Sequence, residues 1–368
     1  MCIVVSRQTD CMAHHEAIPL GLTTLGDHLP DPITGERITE AQRFAQFVDL
    51  GVLADELGFA AYHVGEHHFC DYVLSSPAVV LAAVAARTER VRLSTAVSLL
   101  PHLDPVRVAE DYATLDVLSG GRAELLAGRG VLRQHYAHFG QDSEQSEQLL
   151  EEAVDLLRRL WSGEAVTWRG ALRPPLDGVR VFPRPVQRPH VPVYLSASSL
   201  TSVARAVALG CPIAIATIST GPDLPAQLAK AYREQWAAAG RDPADAGVIL
   251  HVHAYVGAAT TAEAADRWMP HQTSYLRWVL DTVRGPDTPM PPPWQSVGRP
   301  ESQAICGSVD DVAAEIARRL VAVGPVDRLL VQTDQGGMPF DEVAASMERL
   351  VTRVAPQVTD RLMAGVAR

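Results

Sequence analysis

The chain has 368 residues, with 32 Lys and Arg against 43 Asp and Glu, a formal net charge of -11, and a hydrophobic share of 47%. That is the composition of a soluble globular protein with a large core, and with no Lys/Arg-rich run it is not expected to bind nucleic acid or an anionic membrane surface, since neutralising phosphates takes clustered cations. No apolar stretch reaches the roughly 20 residues of a bilayer span, and Met1 to Met12 lacks the charged and apolar regions of a secretory signal, so a cytoplasmic location is expected.

Strand and helix signals alternate nearly end to end. A first strand is predicted near Ile18 to Leu25. Thr39 then caps a helix, with Gln42 placed to reciprocate, and Phe47, Leu50, Leu53, Ala54 and Leu57 share one face before Gly58 stops it. A second strand at Ala60 to Val64 leads to an apolar helix at Pro77 to Ala86. A third strand at Val91 to Val97 is followed by a helix from Pro105 to Leu118 and a fourth strand at Ala123 to Ala127. A long helix from near Ser143 to Gly163 carries Leu149, Leu150, Ala153, Val154, Leu157, Leu160 and Trp161 at helical spacing. Strands at Val191 to Leu195 and Pro212 to Thr217, each with a following helix, continue the pattern. Val248 to Val256 and Arg328 to Gln332 complete it, and a last helix presents Val343, Met347, Leu350, Val351 and Val354 as one stripe.

Eight strand-helix units predict an α/β chain folded as one (β/α)8 barrel over residues 17–356. An N-terminal extension (1–16) and a C-terminal tail (357–368) flank it, and long insertions fall near 163–190 and 257–303. The alternative, a doubly wound sheet, usually has fewer strands and a Gly-rich first turn that this chain lacks. The five cysteines (Cys2, Cys11, Cys70, Cys211, Cys306) are scattered and form no CxxC pair, which points to reduced thiols rather than a disulfide framework or a zinc cluster.

Barrels of this kind place their chemistry just after the strands. After the second strand stands Gly65-Glu66-His67-His68-Phe69. Adjacent strand residues face opposite ways and no third ligand follows at helical spacing, so a metal site is not expected. The histidines read either as a hydrogen-bonded structural pair or as proton donors and acceptors at the mouth, with Glu66, His67 and His68 as the catalytic candidates. Ser94 and Thr95 add polar groups near the third strand. After the fourth strand, Gly128-Arg129-Gly130 combines close backbone approach with a donor fork suited to phosphate, or else forms a tight turn with Arg129 on a carboxylate. After the fifth, Ser198, Ser199 and Ser202 open a helix, either as ordinary caps or as a phosphate seat. Arg129, Gly130 and these serines would share one rim, which favours an anionic ligand.

In this order these segments resemble the bacterial luciferase-like flavin-dependent monooxygenases. Further matches are Arg92-Leu93-Ser94-Thr95-Ala96-Val97-Ser98, Asp104-Pro105-Val106-Arg107, Leu115-Asp116-Val117-Leu118-Ser119-Gly120-Gly121-Arg122 and Phe182-Pro183-Arg184-Pro185. The resemblance implies reduced FMN, or a deazaflavin in some relatives, at the barrel mouth. It also implies dioxygen as co-substrate, a peroxyflavin that oxygenates an organic small molecule, and a separate flavin reductase as partner. His67 takes the place of the catalytic histidine, Arg129 that of a phosphate arginine, and Ser198, Ser199 and Ser202 that of the helix start capping the phosphate. The family's second phosphate arginine is replaced here by Glu147, which would repel a phosphate, with Arg133 as a substitute cation. The Pro-rich stretch from Gly285 to Gln303 falls where luciferase has a mobile lid. The helix from Pro77 to Ala86, apolar nearly all round, suits the homodimer common in the family, or simple packing on the barrel. A deazaflavin-dependent oxidoreductase and a non-catalytic partner subunit are the alternative readings.

Overall fold

Eight parallel strands close on themselves in the computed structural model of the chain, which describes residues 18–217, 223–291 and 303–366. The expected N-terminal extension lies outside the described residues. In chain order the first half is β1 (Leu20–Thr24), α1 (Glu40–Leu57), β2 (Ala61–Val64), α2 (Pro77–Ala85), β3 (Arg92–Thr95), β4 (Ser98–Leu99), α3 (Pro105–Leu118), β5 (Leu125–Gly128), α4 (Gln134–His138) and α5 (Ser146–Trp161). A small hairpin, β6 (Val166–Trp168) and β7 (Leu176–Val179), precedes β8 (Val193–Ser196), α6 (Leu200–Leu209), β9 (Ile213–Ala216) and α7 (Leu224–Ala238). The remainder is β10 (Val248–Val256), α8 (Thr261–Arg284), β11 (Ala304–Gly307), α9 (Val309–Val323), β12 (Arg328–Asp334), α10 (Phe340–Arg349) and α11 (Ala355–Val366).

The hydrogen-bonded order is β3-β2-β1-β12-β10-β9-β8-β5-β4, with β11 alongside the upper half of β10. β3 and β4 are two halves of one barrel strand broken at Ala96 and Val97, so the two ends of that order meet and the (β/α)8 barrel is complete. The outer helices are held by local chemistry the sequence announces. Thr39 and Gln42 form both halves of a capping box, and Gly58 ends α1 in the left-handed region at φ 85. Leu150, Ala153, Val154, Leu157, Leu160 and Trp161 of α5 are all buried against the barrel, and each Leu so covered contributes about 1.5–3 kcal/mol.

Inside the barrel the side chains stack in layers. At the lower end, where the strands begin, Glu124 accepts hydrogen bonds from Arg328 Nη1 at 3.0 Å and from Arg92 Nε, and Arg328 Nη1 also lies 3.0 Å from His63 Nε2. Burial pushes the Glu124 carboxyl up, but Arg328 and Arg92 more than offset it and hold it at about 2. Above this charged layer, Leu126, Ala214, Ile249 and Leu330 form an apolar layer. His251, Gln332 and Thr23 follow toward the mouth, all on inward-facing strand positions.

The insertions carry structure of their own. In the span 257–303, α8 fills the first half. Thr260 and Glu263 form a full capping box, and Trp268, His271, Tyr275, Leu276 and Leu280 bury one face. Residues 292–302 of the expected lid lie outside the described residues. The 163–190 insertion carries the β6–β7 hairpin. The segment from 357 is not a tail, because a π-helical turn at Leu350–Val354 lets the last helix run on as α11, which packs on α9 with Val358 buried. Among the described residues no helix is long and apolar enough to cross a membrane.

Candidate active site

The strand ends surround an open cleft of about 1250 Å³ beside a side pocket of about 510 Å³, the two sharing the walls Leu25, Ala96, Val97, Gly130 and Val131. Its character changes along its length. One end carries Arg129, Arg205, Ser198 and Ser202, the middle is apolar with Leu126, Leu195 and Leu330 beside His251, and the side pocket presents Glu66, His67, His102 and His135.

At the cationic end Gly128 and Gly130 let the backbone close in. A Cβ on Gly128 would lie 2.6 Å from Val97 Cγ2 and 2.9 Å from Ser196 Oγ, and Gly130 adopts φ 77. Arg129 pairs with Glu147 at 3.0 Å, and its carbonyl accepts from the Tyr136 hydroxyl. Arg129 therefore binds a carboxylate, as one of its two readings has it, and also lines the cleft. Ser199 and Ser202 form a reciprocal capping box at the start of α6, and the Ser202 hydroxyl also accepts from the amides of Ser198 and Ser199, both at 3.0 Å. Ser199 is thus engaged in capping and does not line the cleft, whereas Ser198 and Ser202 do.

At the imidazole end Glu66 is buried, accepting from Leu99 N at 3.1 Å through one oxygen and meeting His68 Nε2 at 3.1 Å through the other. His68, so held, packs on Phe139 with ring centroids 4.8 Å apart and forms no part of the pocket wall. Adjacent residues leaving a strand point apart, and it is His67 that faces the pocket. His67 stacks on Tyr72, and its Nδ1 is buried without a hydrogen-bond partner. Burial, with help from His68 and His135 nearby, pushes its pKa down to about 4, so the ring is neutral at pH 7. His102, also with a partnerless Nδ1, is brought to about 4 mainly by burial.

Ser94 and Thr95 do not line the cleft. Both are fully buried, and Thr95 donates to the Leu126 carbonyl at 2.8 Å and Ser94 to that of Thr95 at 3.4 Å. The strand break moves the lining positions one step on, to Ala96 and Val97. Arg133 is exposed and bound to Glu144, so it supplies no substitute cation. Besides His102 and His135 of the side pocket, two charged or titratable residues lining the larger cleft were not expected. Arg205, on the second turn of α6, is only 9% exposed. His251, pushed down to about 4 by burial, leaves Nε2 without a partner. The alternation His251-Val252-His253 on a predicted strand was a usable signal, since both rings had to face one side.

Cations at one end, an apolar slot and neutral imidazoles at the other suit an elongated ligand with an anionic tail and a flat ring system. A family model described as luciferase-like monooxygenase matches residues 18–326. An uncharacterized protein, y4wF, of Sinorhizobium fredii is 30% identical over 334 residues, covering 88% of this chain and 93% of that one. Among solved structures, monooxygenase RslO1 from Streptomyces bottropensis superposes with a TM-score of 0.81 at 27% identity, covering 92% of this chain and 99% of that chain. The oxygenating constituent of 3,6-diketocamphane monooxygenase from Pseudomonas putida, in complex with FMN, shares the fold at a TM-score of 0.76 and 19% identity, covering 93% and 99%.

Proposed function

The chain belongs to the luciferase-like monooxygenase family, and from that premise we propose that it is the oxygenating half of a two-component system. Reduced FMN and dioxygen would be its co-substrates, an organic small molecule its substrate, and a separate flavin reductase its partner. One observation carries the reading: the cleft lined by Arg129, Ser198 and Ser202 adjoins the pocket lined by His67, the two sharing the walls Leu25, Ala96, Val97, Gly130 and Val131. The oxygenating constituent that shares the fold was solved with FMN, which is the same division of labour.

The residues present fit such a cofactor. Arg129 and the serine-rich start of α6 would hold the phosphate, where a guanidinium fork and helix amides favour an anion. Ala96, Val97, Leu195 and Leu330 offer an apolar wall to a flat ring, and a side chain on Gly128 would intrude there. Reduced flavin, when bound, supplies the electrons that activate dioxygen. What the chain itself adds is position, dryness and a proton-handling group: the part-buried, neutral His67, which lines the pocket, can donate or accept one hydrogen bond at Nδ1 or Nε2 according to its tautomer. Glu66 fixes the loop carrying it by binding Leu99 N and His68.

The same reading covers assembly and location. Val79 on α2 and Leu118 on the neighbouring α3 are 70% and 60% exposed, an apolar pair suited to a homodimer contact in the cytoplasm.

Anaerobic titration with reduced FMN, followed by oxygen uptake on adding air and a substrate panel, tests this. Binding that is abolished in Arg129→Ala, with substrate-dependent oxygen uptake, is expected. Binding of a deazaflavin in preference, with hydride transfer and no oxygen uptake, would replace the proposal.

A further inference from the structure

Glu147 stands where a phosphate-binding arginine was expected, yet it does not line the cleft. Its two oxygens engage two guanidinium groups, Oε1 meeting Arg129 at 3.0 Å and Oε2 meeting Arg205 at 2.5 Å. Arg205 is also held at Nε by Glu151 at 2.9 Å. The two carboxylates are nearly half exposed, whereas the Arg205 side chain is 7% exposed. Both arginines form the cleft wall together with Ser198 and Ser202.

This arrangement leaves Arg205 with a donor to spare. Arg205 commits Nε and Nη2 to carboxylates, and no protein group among the described residues accepts from Nη1, which is not sealed off in the core, on a residue that lines the cationic end of the cleft. A phosphate monoester, with its three terminal oxygens, could bridge Arg129 and Arg205 as Glu147 does now.

We propose that Arg205 is the second phosphate-binding cation of this chain, and that Glu147 is the counter-ion with which the incoming phosphate competes. The inference rests on the flavin reading above and deepens it. Relative to a site with an arginine at position 147, the positive charge has moved from α5 to α6 and a carboxylate has been added. The phosphate is therefore recognised by two guanidinium groups but never unopposed, so the flavin comes and goes readily. That suits a co-substrate delivered by another protein in each turnover.

The test is calorimetric, under anaerobic conditions, comparing reduced FMN with reduced riboflavin, which lacks the phosphate. Removing one charge-assisted hydrogen bond to the phosphate corresponds to about tenfold or more in affinity. Arg205→Gln is expected to weaken FMN binding by at least that factor while riboflavin binding stays as in the wild type. Glu147→Gln is expected to bind FMN several-fold more tightly, again with riboflavin unchanged. An Arg205→Gln protein that keeps the wild-type ratio of FMN to riboflavin affinity overturns the proposal. It would leave the flavin reading intact if Arg129→Ala still abolishes the preference. A wild type that binds neither flavin overturns both. Should Arg205→Gln fail to fold, Glu147→Gln decides alone, because unchanged or weaker FMN binding contradicts a competing carboxylate.

Discussion

The His67 imidazole lies nearly flat on the phenol ring of Tyr72, with ring centroids 4.1 Å apart and planes 21° from parallel. Tyr72 is gripped in turn by Trp278 at 4.4 Å and Tyr275 at 6.2 Å, both from α8. The orientation of the candidate imidazole that lines the pocket is thus set by residues of α8 more than 200 positions along the chain. If His67 handles a proton, His67→Asn should cut turnover by about 10²–10⁴-fold while reduced FMN binds as before. Tyr72→Leu, which removes the stacking ring, should lower kcat more than Tyr72→Phe does. Wild-type turnover in His67→Asn would remove this residue from the mechanism.

Acid should unfold this protein early. Burial lowers His67, His102 and His251 to about 4 and, as the main cause, His63 and His253 to about 3. In the unfolded chain such rings titrate near 6.5. Between about pH 6.5 and 4 the unfolded chain therefore takes up protons that the folded chain refuses, and stability falls as pH falls. Asp27, raised to about 6 chiefly by burial, acts in the opposite sense, as do Asp111 and Asp327, also raised by burial, but these three carboxyls stand against eight imidazoles, since burial lowers His135, His190 and His271 as well. The melting temperature should decline steadily from pH 6.5 to 4.5 on the scale of those titrations, with a shallower decline in His253→Gln. A melting temperature that does not move over that range would contradict the neutral state assigned to these rings.

The charged layer beneath the barrel is a stability feature. Glu124, 3% exposed, holds both Arg328 and Arg92. Removing one partner of a buried network leaves the others uncompensated, so Glu124→Ala should cost about 3–5 kcal/mol in urea unfolding. Flavin affinity, measured where the variant remains folded, should be unchanged, since Leu126, Ala214, Ile249 and Leu330 separate this layer from the cleft.

Gly128→Ala should act on the ligand more than on the fold. The new methyl would meet Val97 and Ser196, which both line the cleft. Overpacking of this kind costs about 1–3 kcal/mol, and part of it can be relieved by moving Val97 into the cleft. FMN affinity measured by calorimetry should fall while the melting temperature shifts little. A variant with lowered stability and unchanged affinity would place the methyl outside the ring site.

What the chain shows without its structure is what is local. The Thr39–Gln42 box, the Gly58 stop and the α5 stripe each need only a few neighbouring residues, and eight such units in alternation imply a barrel. Arg129, Gly130, Ser198, Ser202, Glu66 and His67 were legible because lining residues follow strand ends. Ser94 and Thr95 were misplaced because that rule assumes an unbroken strand, and β3 stops short of Ala96. Arg205 was invisible for a different reason. Within Val203-Ala204-Arg205-Ala206-Val207 a single cation reads as the solvent side of a helix, and only the packing of α5, which brings Glu147 and Glu151 against it, reveals a buried charge. His68 was a candidate as a group able to tune His67, and the bond to Glu66 that holds it away from the pocket wall requires the folded loop.

The sealed floor of the barrel also constrains the order of events. With Arg328, Glu124 and the apolar layer above them filling the lower end, flavin and substrate would, on the proposed reading, share the upper opening. A phosphate would sit at the Arg129 end, away from the imidazoles of the side pocket, so a ring system reaching between them would form part of the wall against which a second molecule rests. The first guest would then complete the binding surface of the second, and the order of binding would follow from the barrel's one-ended shape.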